Sequence, residues 1–378
     1  MTGLNGQRVY LDWNATAPLR PEARAAMLSA MDEIGNPSSV HAEGRKTKAI
    51  VERARGQVAD LAGCERDEVV FTAGATEAAH LAMFDRDVVV ASKADHDCIW
   101  ENVSKSIFAE VGESGVVRID RAFDFDVLPF LHDDDLMALS DAQSETGVIH
   151  PVSENITYLK DRLPGGVRVL VDRVQGVGRV PLVADAADFE IMSGHKLGGP
   201  KGAGALLARR GARPSAPVNG GGQEQGRRAG TENVIGIAGF GAAAEAAKRD
   251  LEAGIWARVE KLRNILEYSL EDAASDLIIF GRSGPRLPNT SCFAIPGWKG
   301  ETQVMQMDLS GFAVSAGSAC SSGKVDKASR VLLAMGFDEV TASSAIRVSL
   351  GPTTTEAEVM AFADTWTAAY RRWKAKAA

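Results

Sequence analysis

The sequence predicts an α/β fold built on a mainly parallel sheet, and three observations indicate it. Short apolar runs alternate with longer amphipathic runs along the chain. The apolar runs are nearly continuous, as expected for parallel strands that are buried on both faces. The chain has 378 residues, which exceeds one ordinary hydrophobic core and favours two domains. Parallel sheets bind ligands at the carboxyl ends of their strands, so reactive residues should directly follow strands.

The pattern places strands and helices as follows. Strands are predicted at 68–71, 87–91, 136–140, 167–171, 188–192 and 202–208. Amphipathic helices are predicted at 42–61, 235–270 and 356–374. The pattern changes after Ala229, and the domain boundary is predicted near residue 250. We therefore expect a large domain at 14–250 and a smaller domain formed by 1–13 and 251–378.

Composition excludes several classes of protein. The chain has 42 basic and 50 acidic residues and a net charge of -8, which suits neither nucleic acid nor anionic membranes. No apolar stretch approaches the roughly 18 residues of a spanning helix, so a cytoplasmic protein is expected. Cys64, Cys98, Cys292 and Cys320 are scattered, and no Cys-x-x-Cys pair indicates a disulfide framework or a zinc site. No metal site is predicted.

Three predicted strand ends carry polar groups that suit cofactor chemistry. After the first strand, a glycine turn leads to Ala75 and Thr76 at a helix start, where free N–H groups can bind phosphate. Asp172 ends another strand, with Gln175 three residues later, and a carboxylate there could hold a ring nitrogen cationic. Lys196 follows a third strand between His195 and a glycine-rich stretch, which suits Schiff-base formation.

Each of these segments also has an ordinary structural interpretation when taken alone. The first could be a plain helix cap, Asp172 an N-cap residue, and Lys196 a surface lysine in a glycine loop. Together, in this order and all at strand ends, they favour a pyridoxal phosphate (PLP) site.

Motifs along nearly the whole chain carry a family resemblance. They stand at 10–16, 35–41, 71–77, 172–175, 193–196, 220–224, 228–231, 287–290, 315–320 and 346–351. The sequence resembles the cysteine desulfurases, which are fold-type I PLP-dependent transferases of the aminotransferase class V group. The resemblance implies a large domain with a mainly parallel seven-stranded sheet and a smaller α+β domain that carries a nucleophilic cysteine.

The resemblance also implies a role for individual residues. Lys196 matches the lysine that binds PLP covalently, Asp172 and Gln175 match the ring ligands, and His96 matches the histidine that stacks on the ring and moves protons. The phosphate ligands are matched by Ala75, Thr76, Ser193, His195 and, from the second subunit of a homodimer, Thr231. The substrate pocket is matched by Arg347, which would bind the substrate carboxylate, Asn36 and Ser144. Without the resemblance, Arg347 could equally be a structural ion-pair residue.

The implied reaction converts L-cysteine to L-alanine and leaves the sulfur as a persulfide on Cys320, from which an acceptor protein would take it. Iron–sulfur cluster assembly or another sulfur delivery route is the implied setting. Two alternatives stay open: another PLP-dependent lyase or transaminase for amino acids, and a sulfur-relay or scaffold protein with weakened catalysis.

Two departures from the family pattern bear on the site. Ser144 stands where the family has an asparagine, so substrate orientation could loosen. Arg173 follows Asp172 where a small residue is usual. Such a bulky cation would crowd the cofactor or change the charge of its pocket unless it points away.

Overall fold

The structure is a computed structural model. It describes residues 3–4, 6–86, 89–103, 111–112, 114–117, 119, 132–133, 135–162, 165–183, 186–317 and 328–377. Cys320 lies outside the described residues. The strands are β1 Val9–Tyr10, β2 Val69–Thr72, β3 Val89–Val90, β4 Leu136–Ser140, β5 Arg168–Asp172, β6 Phe189–Ser193, β7 Gly204–Ala208, β8 Ile278–Ile279, β9 Thr290–Ala294, β10 Phe312–Ala313, β11 Ser315–Ala316 and β12 Ala345–Ser349. The α-helices are Pro21–Met31, Ala42–Ala62, Ala75–Met83, Asp97–Trp100, Val152–Lys160, Val234–Glu252, Ile255–Ala273, Gly300–Leu309, Arg330–Ala334, Glu339–Ser343 and Glu356–Ala377.

The central sheet has the strand order β2-β7-β6-β5-β4-β3. Strands β3 to β6 run parallel, whereas β7 is antiparallel to both of its neighbours. Strand β2 therefore runs in the same direction as β6, and both end at the same edge of the sheet. The α/β fold with a mainly parallel sheet is confirmed, but the sheet has six strands among the described residues rather than the implied seven.

Most of the predicted strands agree with the structure to within two residues, and 136–140 agrees at both ends. The stretch 235–270 forms two helices instead of one, because Gly254 adopts a left-handed conformation with φ 68° and starts the second helix. A side chain at this position would be strained, whereas glycine makes the break at little cost. The final helix continues to Ala377, beyond the predicted end at 374.

The N-terminal segment packs with the C-terminal part of the chain. Strand β1 pairs with β10, and the C-terminal sheet has the order β11-β12-β9-β8. Val9 and Leu11 belong to the same buried cluster as Trp298 and Trp366. These contacts join the first residues to the C-terminal part of the chain, and the predicted division into domains, with its boundary near 250, stays a prediction. Within the described part of the chain, no helix has the length and apolar character needed to cross a membrane.

Candidate active site

A cavity of about 840 Å³ opens at the carboxyl edge of the central sheet. The sequence-predicted site residues that line it are Ala75, Thr76, His96, Ser144, Asp172, Gln175, Ser193, His195, Lys196 and Arg347. They come from the ends of five strands of the central sheet and from β12. The volume suits a small organic cofactor together with a substrate.

Lys196 lies in the turn Gly194–Lys196 that follows β6 directly. Its Nζ donates hydrogen bonds to the backbone oxygens of Asn14, at 2.6 Å, and Ala15, at 2.9 Å. The amine is therefore held in the cavity by two neutral acceptors of the N-terminal segment. The amine lies at the cavity wall, where an aldehyde bound in the cavity could react with it.

Asp172 is the last residue of β5 and is buried at the cavity wall. One carboxylate oxygen, Oδ1, accepts a hydrogen bond from Val174 N at 2.8 Å. Burial raises the pKa of Asp172 to about 6, because a desolvated carboxylate lacks the water that stabilises its charge. Lys196 lowers this pKa, but less than burial raises it. A protonated ring nitrogen would add a positive partner, so this carboxyl fits a pyridine-type cofactor.

The phosphate end of the cavity is formed by the start of the helix Ala75–Met83. This helix follows β2 through Gly74, where an added Cβ would meet no atom within 4 Å. Ser193 and His195 line the same cavity, and so does Lys201, which was not predicted. Burial lowers the pKa of His195 to about 4, so its ring is neutral at pH 7. The helix start, the hydroxyl groups and the lysine together form a donor set that fits a phosphate.

His96 is the N-cap residue of the helix Asp97–Trp100. Its Nδ1 accepts a hydrogen bond from Cys98 N at 3.1 Å, so the neutral ring carries its proton on Nε2. Burial, and then the nearby Lys196, lower the pKa of His96. The ring is thus neutral at pH 7 and has a defined tautomer, as a group that passes protons requires.

Arg347 projects from β12 and brings a cation to the opposite side of the cavity. Its Nη2 donates to Asp12 Oδ1 at 2.9 Å, and its Nη1 donates to the backbone oxygen of Ser144 at 3.0 Å. The other Asp12 oxygen accepts from Ser315 Oγ at 2.9 Å. The guanidinium is therefore ion-paired and also lines the cavity. A structural ion pair and a role in binding the substrate carboxylate are thus compatible for Arg347.

Arg173 points away from the cavity. Its Nε lies 3.2 Å from Glu190 Oε2, and both side chains are buried. It lines a separate cavity of about 550 Å³ with Asp141 and His150. Successive residues of an extended segment face opposite sides, so Arg173 turns away where Asp172 turns in. The expected crowding of the cofactor is avoided in this way.

Two predicted residues do not line the cavity of this chain. Asn36 is exposed, and its Oδ1 accepts a hydrogen bond from Ser38 N within its own turn at 2.9 Å. Thr231 is exposed in a neighbouring hollow of about 220 Å³, which shares Ala73 and Gly202 with the cavity. Both roles, like that of Cys320, stay predictions.

Sequence reasoning did not single out Asn14 and Arg179, which are buried beside the predicted residues. Asn14 belongs to the 10–16 motif, which could have indicated it, whereas no sequence signal marked Arg179. Cys98 also lines the cavity, and burial raises the pKa of its thiol. It is therefore a poor thiolate nucleophile at neutral pH.

Comparison with known proteins adds independent information. Residues 9–362 match the family model described as "Aminotransferase class-V". The chain is 37% identical to a cysteine desulfurase of Enterobacter agglomerans, over 93% of this chain and 90% of that protein. It is 35% identical to a cysteine desulfurase IscS of Dictyoglomus turgidum, over 93% and 92% of the two chains. The crystal structure of a NifS-like protein from Rickettsia africae superposes with a TM-score of 0.87 at 29% identity, covering 97% of this chain and 100% of the other.

Proposed function

This chain belongs to the aminotransferase class-V family and, within it, to the cysteine desulfurases, and on that premise we propose how its residues divide the reaction. The observation that carries the proposal is that Lys196, Asp172 and Arg347 line one cavity. These are an amine, a carboxyl group and a guanidinium from three separate parts of the chain. They provide the groups needed to bind PLP and an amino acid together.

Pyridoxal phosphate, when bound, supplies an electron sink for bonds broken at the substrate. Lys196 would hold it covalently, while Asp172 and Gln175 would contact its ring. The phosphate would be held by the helix start at Ala75 and Thr76, with Ser193 and His195. The charges support this assignment. The Asp172 carboxyl favours a cationic ring nitrogen, the start of the helix Ala75–Met83 favours an anionic phosphate, and both line the same cavity.

The chain's own residues would then act on the substrate L-cysteine. Arg347 binds the substrate carboxylate, which a planar guanidinium can do with two parallel hydrogen bonds. Lys196 removes the proton from the substrate α-carbon. His96 moves the proton of the substrate thiol, a role supported by its neutral ring and its position at the cavity wall.

Cys320 receives the sulfur. Its thiolate attacks the substrate sulfur, an S–S bond forms and the substrate C–S bond breaks. The electron pair of the broken bond stays with the carbon, which gains a proton and leaves as L-alanine. The atoms balance without an external oxidant, because cysteine and a thiol give alanine and a persulfide. An acceptor protein would then take the sulfur.

We further propose a cytoplasmic homodimer that delivers sulfur for iron–sulfur assembly or a related route. The name IscS of one relative supports this setting. Thr231 would contact the phosphate of the partner subunit, and its exposure in a hollow beside the cavity supports that arrangement.

The test is to incubate the PLP-loaded protein with L-cysteine, quantify alanine and sulfide, and map persulfide by mass spectrometry. Parent protein should release alanine and carry persulfide at position 320. Cys320→Ser should lose both, whereas the control Cys64→Ser, outside the cavity, should keep both. Persulfide at Cys98, or unchanged alanine release from Cys320→Ser, would contradict the role of Cys320. Transamination without persulfide would favour another PLP enzyme, and failure to bind PLP would favour a relay or scaffold protein.

A further inference from the structure

We propose that Arg179 is a positioning residue that fixes Gln175 and Asn14 around Lys196. The inference rests on the proposed function, because it concerns how the chain prepares its cavity for PLP. Arg179 is buried, and it follows Gln175 on the turn after β5. It does not line the main cavity, so it would act through its neighbours.

One guanidinium contacts three groups of the site. Its Nη1 donates to Gln175 Oε1 at 2.5 Å and to Asn14 Oδ1 at 2.9 Å, and its Nη2 lies 3.4 Å from the backbone oxygen of Lys196. All three contacted groups are neutral acceptors. Among the described residues no carboxylate lies within ion-pair distance of Arg179, although the more distant Asp141 acts to raise its pKa. A buried guanidinium that contacts only neutral acceptors is a costly way to stabilise a fold, which favours a role in the site.

The first consequence concerns the direction of the Gln175 amide. An arginine can only donate hydrogen bonds, so the amide oxygen must face it and the NH₂ group must turn the other way. That group donates to the backbone oxygen of Asn14 at 3.2 Å. Gln175 also lines the cavity. Arg179 would thereby make Gln175 present a donor, and not an acceptor, to the hydroxyl oxygen attached to the ring of PLP.

The second consequence concerns Asn14, which is almost completely buried. Its Oδ1 accepts from both Arg179 and Asn289, and its Nδ2 donates to Thr290 Oγ1 and to the backbone oxygen of Ser144. The backbone oxygen of the same residue accepts from Lys196 Nζ. Arg179 is therefore one of the groups that fix the acceptor holding the reactive amine.

The guanidinium keeps its charge in this environment. Burial, with the nearby Arg347 as a second cause, lowers the pKa of Arg179 to about 10. Since this value is well above neutral pH, Arg179 stays protonated and donates throughout the working range. Its orienting effect on Gln175 is consequently permanent.

The test uses the PLP-loaded protein and follows its visible absorption band as a function of pH. Replacing Arg179 by Met should raise the pH midpoint of the visible band by about one pH unit, because the hydrogen bond from Gln175 to the hydroxyl oxygen on the PLP ring is lost. The Kd for PLP should rise roughly 5- to 30-fold. If Arg179 acts through Gln175, the same replacement in a Gln175→Ala background should move the midpoint by less than half as much.

Urea unfolding of the PLP-free proteins distinguishes this positioning role from a purely structural one. A structural role would lower the free energy of unfolding but leave the pH midpoint of the visible band unchanged. Should Arg179→Met fail to fold, Arg179→Lys is the second variant, since it keeps the charge but lacks the planar fork. A smaller shift in the same direction is expected. Parent-like midpoint and Kd in the folded variant, or an equal shift in both backgrounds, would overturn the inference. A parent protein without the band would instead count against the proposed function.

Discussion

The central sheet and the C-terminal sheet contribute to the same cavity but differ in what surrounds them. The central sheet is packed mainly by small and aliphatic side chains and ends in polar groups such as Asp172 and Ser193. Beside the C-terminal sheet, Trp366 packs at 5.5 Å from both Phe293 and Trp298 and stacks on Tyr370 at 5.6 Å between ring centroids. From this aromatic region the cavity receives few groups, chiefly Arg347.

The difference indicates how the chain combines stability with reactivity. Buried polar groups at a strand end lower the stability of the fold unless they are paired. The sheet edge with Asp172 therefore lowers the free energy of unfolding of the PLP-free protein. Large aromatic side chains contribute much burial for each residue. The C-terminal region can therefore hold Arg347 in place while the central sheet supplies the reactive groups.

The largest expected effect is on the chemical side of this comparison. Lys196→Ala should lower alanine release by about 10³-fold or more, because both proton transfer and cofactor attachment depend on this amine. Visible absorbance and alanine release are the measurements. Lys48→Ala, at an exposed site on the helix Ala42–Ala62, is the control and should behave as the parent. Retained turnover in Lys196→Ala would refute the assignment.

The next effect is on the stability side. Trp366 is fully buried and donates from Nε1 to Gln303 Oε1 at 3.0 Å. Trp366→Ala should lower the free energy of unfolding by about 3–5 kcal/mol, measured with urea on the PLP-free protein. Trp373→Ala, at a half-buried position of the same cluster, should lose less. Equal losses would argue against a dense core around Trp366.

The third prediction concerns how the destabilising effect of Asp172 depends on pH. Burial raises its pKa to about 6 from 3.8, so the folded PLP-free chain binds this proton more tightly than the unfolded chain. Its favourable contribution is complete below pH 3.8 and is lost as pH rises through 6. Asp172→Asn should therefore be more stable than the parent at pH 8, by up to about 3 kcal/mol, and the gain should shrink toward pH 4.

Urea unfolding of the PLP-free proteins between pH 5 and 8 checks this prediction. Asp133→Asn, at an exposed site, should give no such gain. A gain that does not depend on pH would show that the carboxyl charge is not its cause.

The smallest expected effect is on substrate affinity. Arg347→Lys should raise the KM for L-cysteine about 10- to 100-fold, because lysine cannot bind a carboxylate through a planar fork. The visible absorption of bound PLP should stay unchanged. Arg249→Lys, at an exposed ion pair with Glu22, is the matched control. An altered absorption spectrum with unchanged KM would assign Arg347 to the cofactor and not to the substrate.

Much of this site followed from local sequence. Asp172 and Lys196 were predicted to meet because each follows an apolar run, and parallel strands end at one edge. The placement of β7 between β2 and β6 could not be read in this way. Strand direction and order depend on pairing between distant segments, which local periodicity does not record.

Arg179 and Asn14 escaped prediction for a related reason. Asn14 contacts residues 179 and 289, which are distant in the sequence, so no spacing within one segment indicates it. Arg179 stands four residues after Gln175, but that spacing does not show that both reach Asn14. Arg173 was predicted to crowd the cofactor unless it pointed away, and the sequence did not show which, because its partner Glu190 comes from the adjacent strand. The sequence gives the chemical type of each side chain, but which distant residue it pairs with is known only from the three-dimensional structure.

The position of Asn14 has a consequence for biosynthesis. Its backbone nitrogen donates to Ser349 Oγ, and its side chain forms hydrogen bonds with Asn289 and Thr290. A ribosome must therefore synthesise the chain through residue 349 before these bonds can form around Lys196. PLP added to a shorter nascent chain would meet an incompletely formed site. Fragments that end before residue 349 should therefore gain little protection against proteases from added PLP.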